Sequence, residues 1–261
     1  MSQSLSFWRG AVCAALFGLS ATAAVAVGNP AVAEFPDSED YQYIFDINAL
    51  PKITMEISEA QWNVLLSSSQ YDRPKADISR WTFEKDGVAQ TLTKAKAKVS
   101  GNTSFVTPEV AGTHCRNCAD WRQTNFNFDL KSETFRGLTG LKLKRFHGDP
   151  SYVREVVAND IMKNFGIFTT HHSTYARLYV HVIGDAQPAY FGVYRMNEDI
   201  NELEFLTNRF GAANLTDRLW KMSYSTQPGC SGPADLKPIT VDRDDKMSRD
   251  DCVYEYKGKK A

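Results

Sequence analysis

The cysteines are the first residues whose spacing suggests chemistry. Cys115 and Cys118 form a C-x-x-C pair beside His114, whereas 21 residues separate Cys230 from Cys252. A zinc site normally needs a second close pair, and a thioredoxin-like redox pair needs a strand before it and a helix after it. We therefore favour two structural disulfides among these four cysteines, in any of three pairings, with zinc or redox chemistry as the alternatives.

Other residues that could bind metals form weaker patterns. His171 and His172 are adjacent, and neighbouring residues of a strand point to opposite faces, so we interpret them as a loop pair without metal chemistry. Five aspartates between residues 242 and 251 lack the glycine and glutamate positions of a calcium loop and predict a solvated acidic segment. The sequence also lacks the P-loop, the dinucleotide-binding glycines, the zincin motif, the nucleophile elbow and the signatures of ordinary protein kinases.

Alternating apolar residues predict the strands that must position any site. We expect strands at 53–57, 78–84, 95–99, 123–130, 141–146, 174–183 and 189–196. A capping box at Ser58–Gln61 predicts a helix through residue 68. The Asp86-Gly87 dipeptide predicts a hairpin that joins the strands at 78–84 and 95–99.

The strongest helical pattern runs from Pro150 to Phe165. Asp149 is suited to the N-cap, and Gly166 provides the C-terminal stop. A further helix is predicted at 199–210, and organised structure is expected to fade after residue 221. These elements predict an α+β fold with a mainly antiparallel sheet and packed helices. The apolar stripe of the helix at 150–165 consists of Val153, Val156, Val157, Ile161 and Phe165.

The N-terminal segment has the features of a secretory signal peptide. Arg9 precedes a stretch without charged residues, and Ala31-Val32-Ala33 has the small-x-small form of a cleavage site. An uncleaved N-terminal anchor is the alternative, which the alanine-rich composition disfavours. We therefore expect a protein that is secreted or held at the cell surface, with no stable membrane span after cleavage.

Length and charge narrow the class of protein further. The 261 residues are 43% apolar and 23% charged, as in globular proteins, and the formal net charge of −1 argues against nucleic-acid binding. We divide the chain into a signal peptide (1–33), an N-terminal linker (34–50), a folded domain (51–225) and a polar C-terminal segment (226–261). Asn102 and Asn214 begin N-glycosylation sequons, which matter if the source is eukaryotic.

The order of motifs over residues 50–225 resembles the spore coat protein H (CotH) kinase family. The resemblance implies an exported protein with the fold of a divergent, atypical kinase, in which a sheet-based nucleotide-binding lobe precedes a helical lobe. Some members are implied to phosphorylate exported proteins with ATP and Mg²⁺ or Mn²⁺, and others to bind partners at cell surfaces. The motifs are ITMEISEAQWNVL (53–65), SGNTS (100–104), FRGL (135–138), LKLK (141–144), DPSYVREVVANDIMKNFGI (149–167), LYVHV (178–182), YFGVYRMNEDI (190–200) and LWK (219–221).

Through this resemblance, five residues become candidates for a nucleotide site. Lys142 and Lys144 project from the strand face opposite the leucines, so one of them can reach a phosphate. Glu198 ends a Gly-x-Tyr-x-x-x-Glu segment and is the natural acid to pair with that lysine. Arg154 and Lys221 are further candidates, and the alternative for all five is a solvent-facing charge or a surface ion pair.

The sequence departs from the family at its C-terminal end. In the family, the segment that corresponds to residues 254–257 precedes a helical region with two metal-binding aspartates, whereas this sequence ends at Ala261. We therefore expect a truncated chain that lacks the C-terminal helical lobe and is inactive by itself. Two hypotheses follow: an exported CotH-like kinase represented by its nucleotide lobe, or a non-catalytic secreted coat or cell-surface module that binds another protein.

Overall fold

A computed structural model describes residues 38–109, 122–167, 169–200, 205–206, 209, 220–222 and 254–256. The predicted signal peptide, the sequon at Asn214, most of the predicted helix at 199–210 and all the cysteines lie outside these ranges. The described helices are α1 (Glu39–Ile44), α2 (Glu59–Leu66) and α3 (Arg154–Asn164). The described strands are β1 (Lys52–Ile57), β2 (Ala76–Asp77), β3 (Arg80–Lys85), β4 (Val88–Leu92), β5 (Lys96–Ser100), β6 (Asn125–Asp129), β7 (Gly140–Lys144), β8 (Ser173–Val182), β9 (Ala189–Glu198), β10 (Trp220–Met222) and β11 (Tyr254–Tyr256).

Nine of the strands form one sheet in the order β2-β5-β6-β7-β9-β8-β1-β3-β4. Its neighbouring strands are antiparallel except β1 and β8, which run parallel. A separate antiparallel pair consists of β10 and β11. The predicted mainly antiparallel sheet is therefore confirmed, although the described helices are few and short. None of them is long and apolar enough to span a membrane.

Alternation along the strands gives the sheet one apolar face and one polar face. On β7, Leu141 and Leu143 are fully buried, whereas the lysines between and after them point to the polar side. The same alternation runs through all ten residues of β8, as predicted. Helix α2 covers the apolar face with Trp62, whose ring packs edge-on against Phe191 at 6.1 Å. Burying such large side chains is the main source of the fold's stability.

Helix α1 lies within the segment predicted as a linker. Its N-cap Ser38 accepts a hydrogen bond from the backbone N–H of Tyr41 at 3.3 Å. Tyr41 and Ile44 are buried in the same apolar core as the sheet residues. Residues 39–44 therefore add to the core of the folded part.

The hairpin after β3 differs from the prediction. Asp86 and Gly87 join β3 to β4, whereas β5 lies elsewhere in the sheet between β2 and β6. Both turn residues have positive φ, 52° and 76°, which a two-residue hairpin with the twist of the strands requires. Strand β4 escapes prediction because it is a largely exposed edge strand without an alternating apolar pattern.

Helix α3 begins later than predicted. Tyr152 has a φ of 63°, which interrupts the helical backbone, and the N-cap position falls at Val153. Asp149 still accepts hydrogen bonds from the backbone N–H groups of Ser151 (3.1 Å) and Arg154 (3.0 Å). Asp149 therefore closes a turn before the helix, and the predicted start at Pro150 is wrong by four residues.

The apolar stripe of α3 is also largely uncovered. Val156 is fully buried, but the other four stripe residues are between 44% and 80% exposed: Val153, Val157, Ile161 and Phe165. Periodicity correctly places Val156, Val157 and Ile161 on the helix, whereas Val153 and Phe165 are its caps. It does not determine how much of the stripe a neighbouring element covers.

Candidate functional site

The polar face of β5, β6 and β7 borders a cleft of about 650 Å³. Neutral polar groups of Ser100, Asn102 and Asn127 contribute to its wall. Because the cations of the described lining outnumber its carboxylates, the cleft favours an anionic ligand. Its charged lining consists of six basic side chains, Arg73, Lys75, Lys98, Lys131, Lys142 and Lys144, and two carboxylates, Asp129 and Asp199.

The strand register explains why these lysines come together. Asn127 of β6 lies opposite Lys98 of β5 on one side and opposite Lys142 of β7 on the other. Directly opposed residues of neighbouring strands share a face of the sheet and lie about 5 Å apart. Lys98, Asn127 and Lys142 therefore form a row across three adjacent strands.

Hydrogen bonds hold the lysines of β7 in place. Lys144 Nζ donates to Ser100 Oγ at 2.7 Å and to Asn127 Oδ1 at 3.1 Å. Lys142 Nζ donates to Asp199 Oδ1 at 2.5 Å, and both side chains are largely buried. The structure thus places both lysines predicted from the sequence in one basic cleft.

The turn after β5 forms one wall of this cleft. Gly101 has a φ of 125°, and a Cβ added there would lie 2.9 Å from the backbone nitrogen of Phe105. Asn125 Nδ2 donates to Ser104 Oγ at 3.0 Å and braces the turn from β6. Asn102, the first residue of the described sequon, is exposed at the cleft and accepts a hydrogen bond from Gln70 at 2.8 Å.

Glu198 lies on the other face of the sheet. In the β7–β9 register it is opposite Leu141, whereas Lys144 is opposite Arg195. The predicted pair of Lys144 with Glu198 is therefore wrong. The acid that pairs with a lysine of β7 is not Glu198 but the next residue, Asp199, which forms an ion pair with Lys142.

The carboxylate of Glu198 belongs to a buried polar cluster with His172 and Arg209. Its Oε2 lies 3.0 Å from His172 Nδ1 and 3.1 Å from an Arg209 nitrogen. Burial by itself raises the pKa of Glu198, but the hydrogen bond and charge of His172 and the charge of Arg209 outweigh burial, so the pKa is lowered overall. This cluster ties residue 209 to the end of β9.

The histidine pair has no metal-binding arrangement in the part of the chain that the structure describes. His172 packs against the rings of Tyr41 and Phe45, at 5.0 and 5.2 Å, and contacts Glu198. Burial lowers the pKa of the neighbouring His171. Among the described residues no group of three or more His, Cys, Asp or Glu side chains is placed to hold a metal ion.

Of the two remaining candidates, Arg154 is not in the described lining of the cleft, and the side chain of Lys221 lies outside the described part of the structure. Arg154 is 69% exposed and lies 3.6 Å from Asp149, which matches the alternative of a surface ion pair. Lys221 lies in β10, opposite Glu255 of β11.

Four cations of the cleft are not singled out by the sequence motifs. Lys98 has a detectable signal, because the alternation in β5 places Lys96 and Lys98 opposite the buried Ala97. Arg73 and Lys75 come from the segment between α2 and β2, and Lys131 follows β6. These last three have no such signal, since only the strand order brings their segments to the cleft.

Comparison with known proteins adds one finding. A family model described as CotH kinase protein matches residues 109–254, which is more than half of the chain. The match includes Lys142, Lys144 and Glu198, whereas Lys98 and the cations at 73 and 75 precede it. No curated protein and no solved structure gives a significant match.

Proposed function

The chain belongs to the CotH kinase protein family, and from this premise we propose that its basic cleft binds the phosphate groups of a nucleotide, ATP in the first instance. The observation that carries the proposal is the set of six basic side chains, against two carboxylates, that lines the cleft. Ammonium groups bind phosphate as compact charges with three donors each. The family's kinase description makes ATP the first nucleotide to test.

The roles of the residues follow from their positions. Lys142 and Lys144 neutralise phosphate charge from β7, and the Gly101 turn forms a wall against which the phosphates lie. Glu198 does not contact the phosphates; it stabilises the fold by holding His172 and Arg209 at the end of β9 on the opposite face. Asp199 positions Lys142.

The family resemblance also implies Mg²⁺ or Mn²⁺, which neutralises phosphate charge when it is bound. The described residues of the cleft do not fit such an ion. Asp129 and Asp199 are its carboxylates, and each forms an ion pair with a lysine, Lys75 and Lys142 respectively. We assign no metal ligand to the described part of the chain.

We place the protein outside the cytoplasm, where it acts on or with another exported protein. The support for this location is the signal-like segment 1–33 together with four further cysteines, an even number that suits disulfides.

A second function, binding of a protein partner without catalysis, is favoured by one observation. Phosphoryl transfer draws much of its rate from metal ions on the phosphates, and the described carboxylates of the cleft are engaged by lysines. A secreted module of this kind would retain the cleft for an anionic ligand without transferring phosphate.

Nucleotide binding and transfer can be tested separately. Calorimetric titration of the purified protein with ATP should show binding that weakens as salt increases, because the cleft attracts its ligand through charge. Lys144→Met should weaken binding at least about tenfold. Lys96→Met is the matched control, since Lys96 pairs with Asp77 at 2.9 Å and does not line the cleft. Equal affinity in wild type and Lys144→Met would contradict the proposed site.

Catalysis is tested with labelled ATP, Mg²⁺ or Mn²⁺ and a casein-like acceptor protein. Incorporation above the level of Lys144→Met supports a kinase. ATP binding without incorporation supports the non-catalytic module.

A further inference from the structure

We infer that Lys98, which precedes the residues matched by the family model, is a cation of the cleft that contacts the bound anion directly. This inference rests on the proposed function and adds a residue that neither the family match nor the sequence motifs assign. It also separates the two lysines of β7, which acceptors of the protein hold, from Lys98, which has no such acceptor within the described residues.

Lys98 lies at one end of the row of three residues that crosses the cleft. It lies on the polar face of β5, directly opposite Asn127, while Lys142 lies opposite Asn127 from the other side. Arg73, from the segment before β2, and Asp199, which follows β9, line the same cleft. An anion seated over Asn127 therefore meets Lys98 and Lys142 from two sides.

Lys98 differs from the neighbouring lysines of the cleft in its hydrogen-bond and ion-pair partners. Lys142 donates to Asp199, Lys144 to Ser100 and Asn127, and Lys75 forms an ion pair with Asp129. Within the described ranges, Lys98 Nζ has neither a hydrogen-bond acceptor nor a carboxylate partner, although the residue is half-buried. A half-buried ammonium without a counter-charge is unfavourable unless a ligand supplies the acceptors.

The surrounding charges increase this cost. Burial, followed by the charges of Lys75, Lys142 and Arg73, lowers the pKa of Lys98, and only the charge of Asp199 among these groups opposes the shift. Lys144, Lys131 and Asp129 line the same cleft. Lys96, two residues earlier on the same face, shows the contrasting case: its hydrogen bond to Asp77 raises its pKa.

We therefore expect Lys98 to lower the stability of the ligand-free protein and to raise its affinity for the anion. The test uses inorganic tripolyphosphate as the probe, with Lys98→Met as the variant and Lys96→Met as the matched control. Without ligand, we expect Lys98→Met to raise the melting temperature, because it removes a poorly solvated charge among like charges. Its affinity for tripolyphosphate should fall at least about tenfold, whereas Lys96→Met should bind like the wild type and Lys98→Arg should retain most of the affinity.

A second readout reports on the titration of Lys98 itself. A bound anion raises the pKa of Lys98, so binding at alkaline pH takes up a proton and the affinity falls as the pH rises. Titration calorimetry in two buffers of different ionisation enthalpy measures this uptake. We expect the uptake in wild type to exceed that in Lys98→Met, with Lys96→Met equal to wild type.

The possible outcomes separate the two proposals. If wild type and Lys98→Met bind tripolyphosphate equally, the role of Lys98 is wrong and the proposed cleft stands. A melting temperature that falls in Lys98→Met without ligand would show a structural lysine and would also overturn the inference. If wild type binds neither tripolyphosphate nor ATP, the proposed function fails and the inference fails with it.

Discussion

Lys144 and Glu198 lie on opposite faces of the sheet, although β7 and β9 are neighbouring strands. Lys144 reaches Ser100 and Asn127 at the basic cleft, and Glu198 reaches His172 and Arg209 at the buried cluster. The two residues share no partner among these contacts. Under the proposed function, Lys144 serves ligand binding and Glu198 serves stability, so variants of the two residues should separate these properties.

This separation predicts the behaviour of Lys144→Met and Glu198→Gln in combination. Glu198→Gln removes the charge partner of the buried Arg209 and should lower the free energy of unfolding by about 3–5 kcal/mol. Lys144→Met should lower it by about 1 kcal/mol, since Ser100 still donates to Asn127. Urea unfolding of both single variants and the double variant should show additive effects within about 0.5 kcal/mol. A larger coupling energy would contradict the assignment of the residues to separate clusters.

The lowered pKa of Glu198 predicts how stability depends on pH. A carboxyl whose folded pKa lies below its unfolded value contributes stability above the unfolded pKa of about 4.5, and that contribution is lost as the pH falls through the folded pKa. The difference in unfolding free energy between wild type and Glu198→Gln should therefore be full at pH 7 and shrink below about pH 4.5. Urea unfolding at a series of pH values measures it, and a constant difference down to about pH 3 would contradict the assignment.

Gly101→Ala should disturb both stability and ligand binding. A methyl group at this position meets the backbone nitrogen of Phe105 at 2.9 Å, and the φ of 125° is strained for any side chain. We expect a loss of about 1–3 kcal/mol in unfolding free energy and weaker tripolyphosphate binding. Gly137→Ala is the matched control, since its φ is 83° and an added methyl group has no heavy atom within 4 Å. The control should lose stability and keep its affinity, and equal affinities of the two variants would exclude a role for the turn.

The hairpin turn predicts a purely conformational effect. Gly87 has a φ of 76°, and a Cβ there meets nothing within 4 Å, so Gly87→Ala should lower the unfolding free energy by about 1 kcal/mol without a clash. Asp86→Gly, at the other left-handed turn residue, should be tolerated much better because glycine adopts positive φ readily. Thermal unfolding of both variants measures the difference. Equal losses would show that the turn does not set the stability of the β3–β4 hairpin.

The proposed export makes a prediction for the N-terminus. Expression in a host with a secretory pathway should yield a protein whose first residue is Glu34, because Ala31-Val32-Ala33 has the small-x-small form of a cleavage site. Intact-mass measurement checks the cleavage, and replacing Ala33 with Arg should block it. An extracellular protein that retains residues 1–33 would support the N-terminal anchor instead.

Much of the local structure follows from the sequence. The alternation in LKLK correctly predicts that Leu141 and Leu143 are buried and that Lys142 and Lys144 lie on the polar face. The same reasoning holds for β8, because the period of two is a property of the extended backbone itself. It fails for β4, an edge strand with too little buried surface to leave an apolar pattern.

The composition of the cleft depends on the order of the strands. Strand β5 pairs with β6, although a long segment of chain separates the two strands. It does not pair with β3, which is closer to it in the sequence. This placement brings Lys98 into one row with Lys142. No local sequence pattern specifies β6 as the partner of β5, because pairing between distant strands is decided by how the apolar faces pack into one core.

Glu198 shows where prediction from a single strand ends. The sequence by itself determined which residues of β7 share a face, because side chains alternate along that strand; in β9 an irregular register near Gly192 breaks the alternation. Whether Glu198 shares the face of Lys144 was decided only by the register between the two strands, which places Glu198 opposite the buried Leu141. A shift of one residue would reverse every such relationship, so the face of Glu198 depends on tertiary packing.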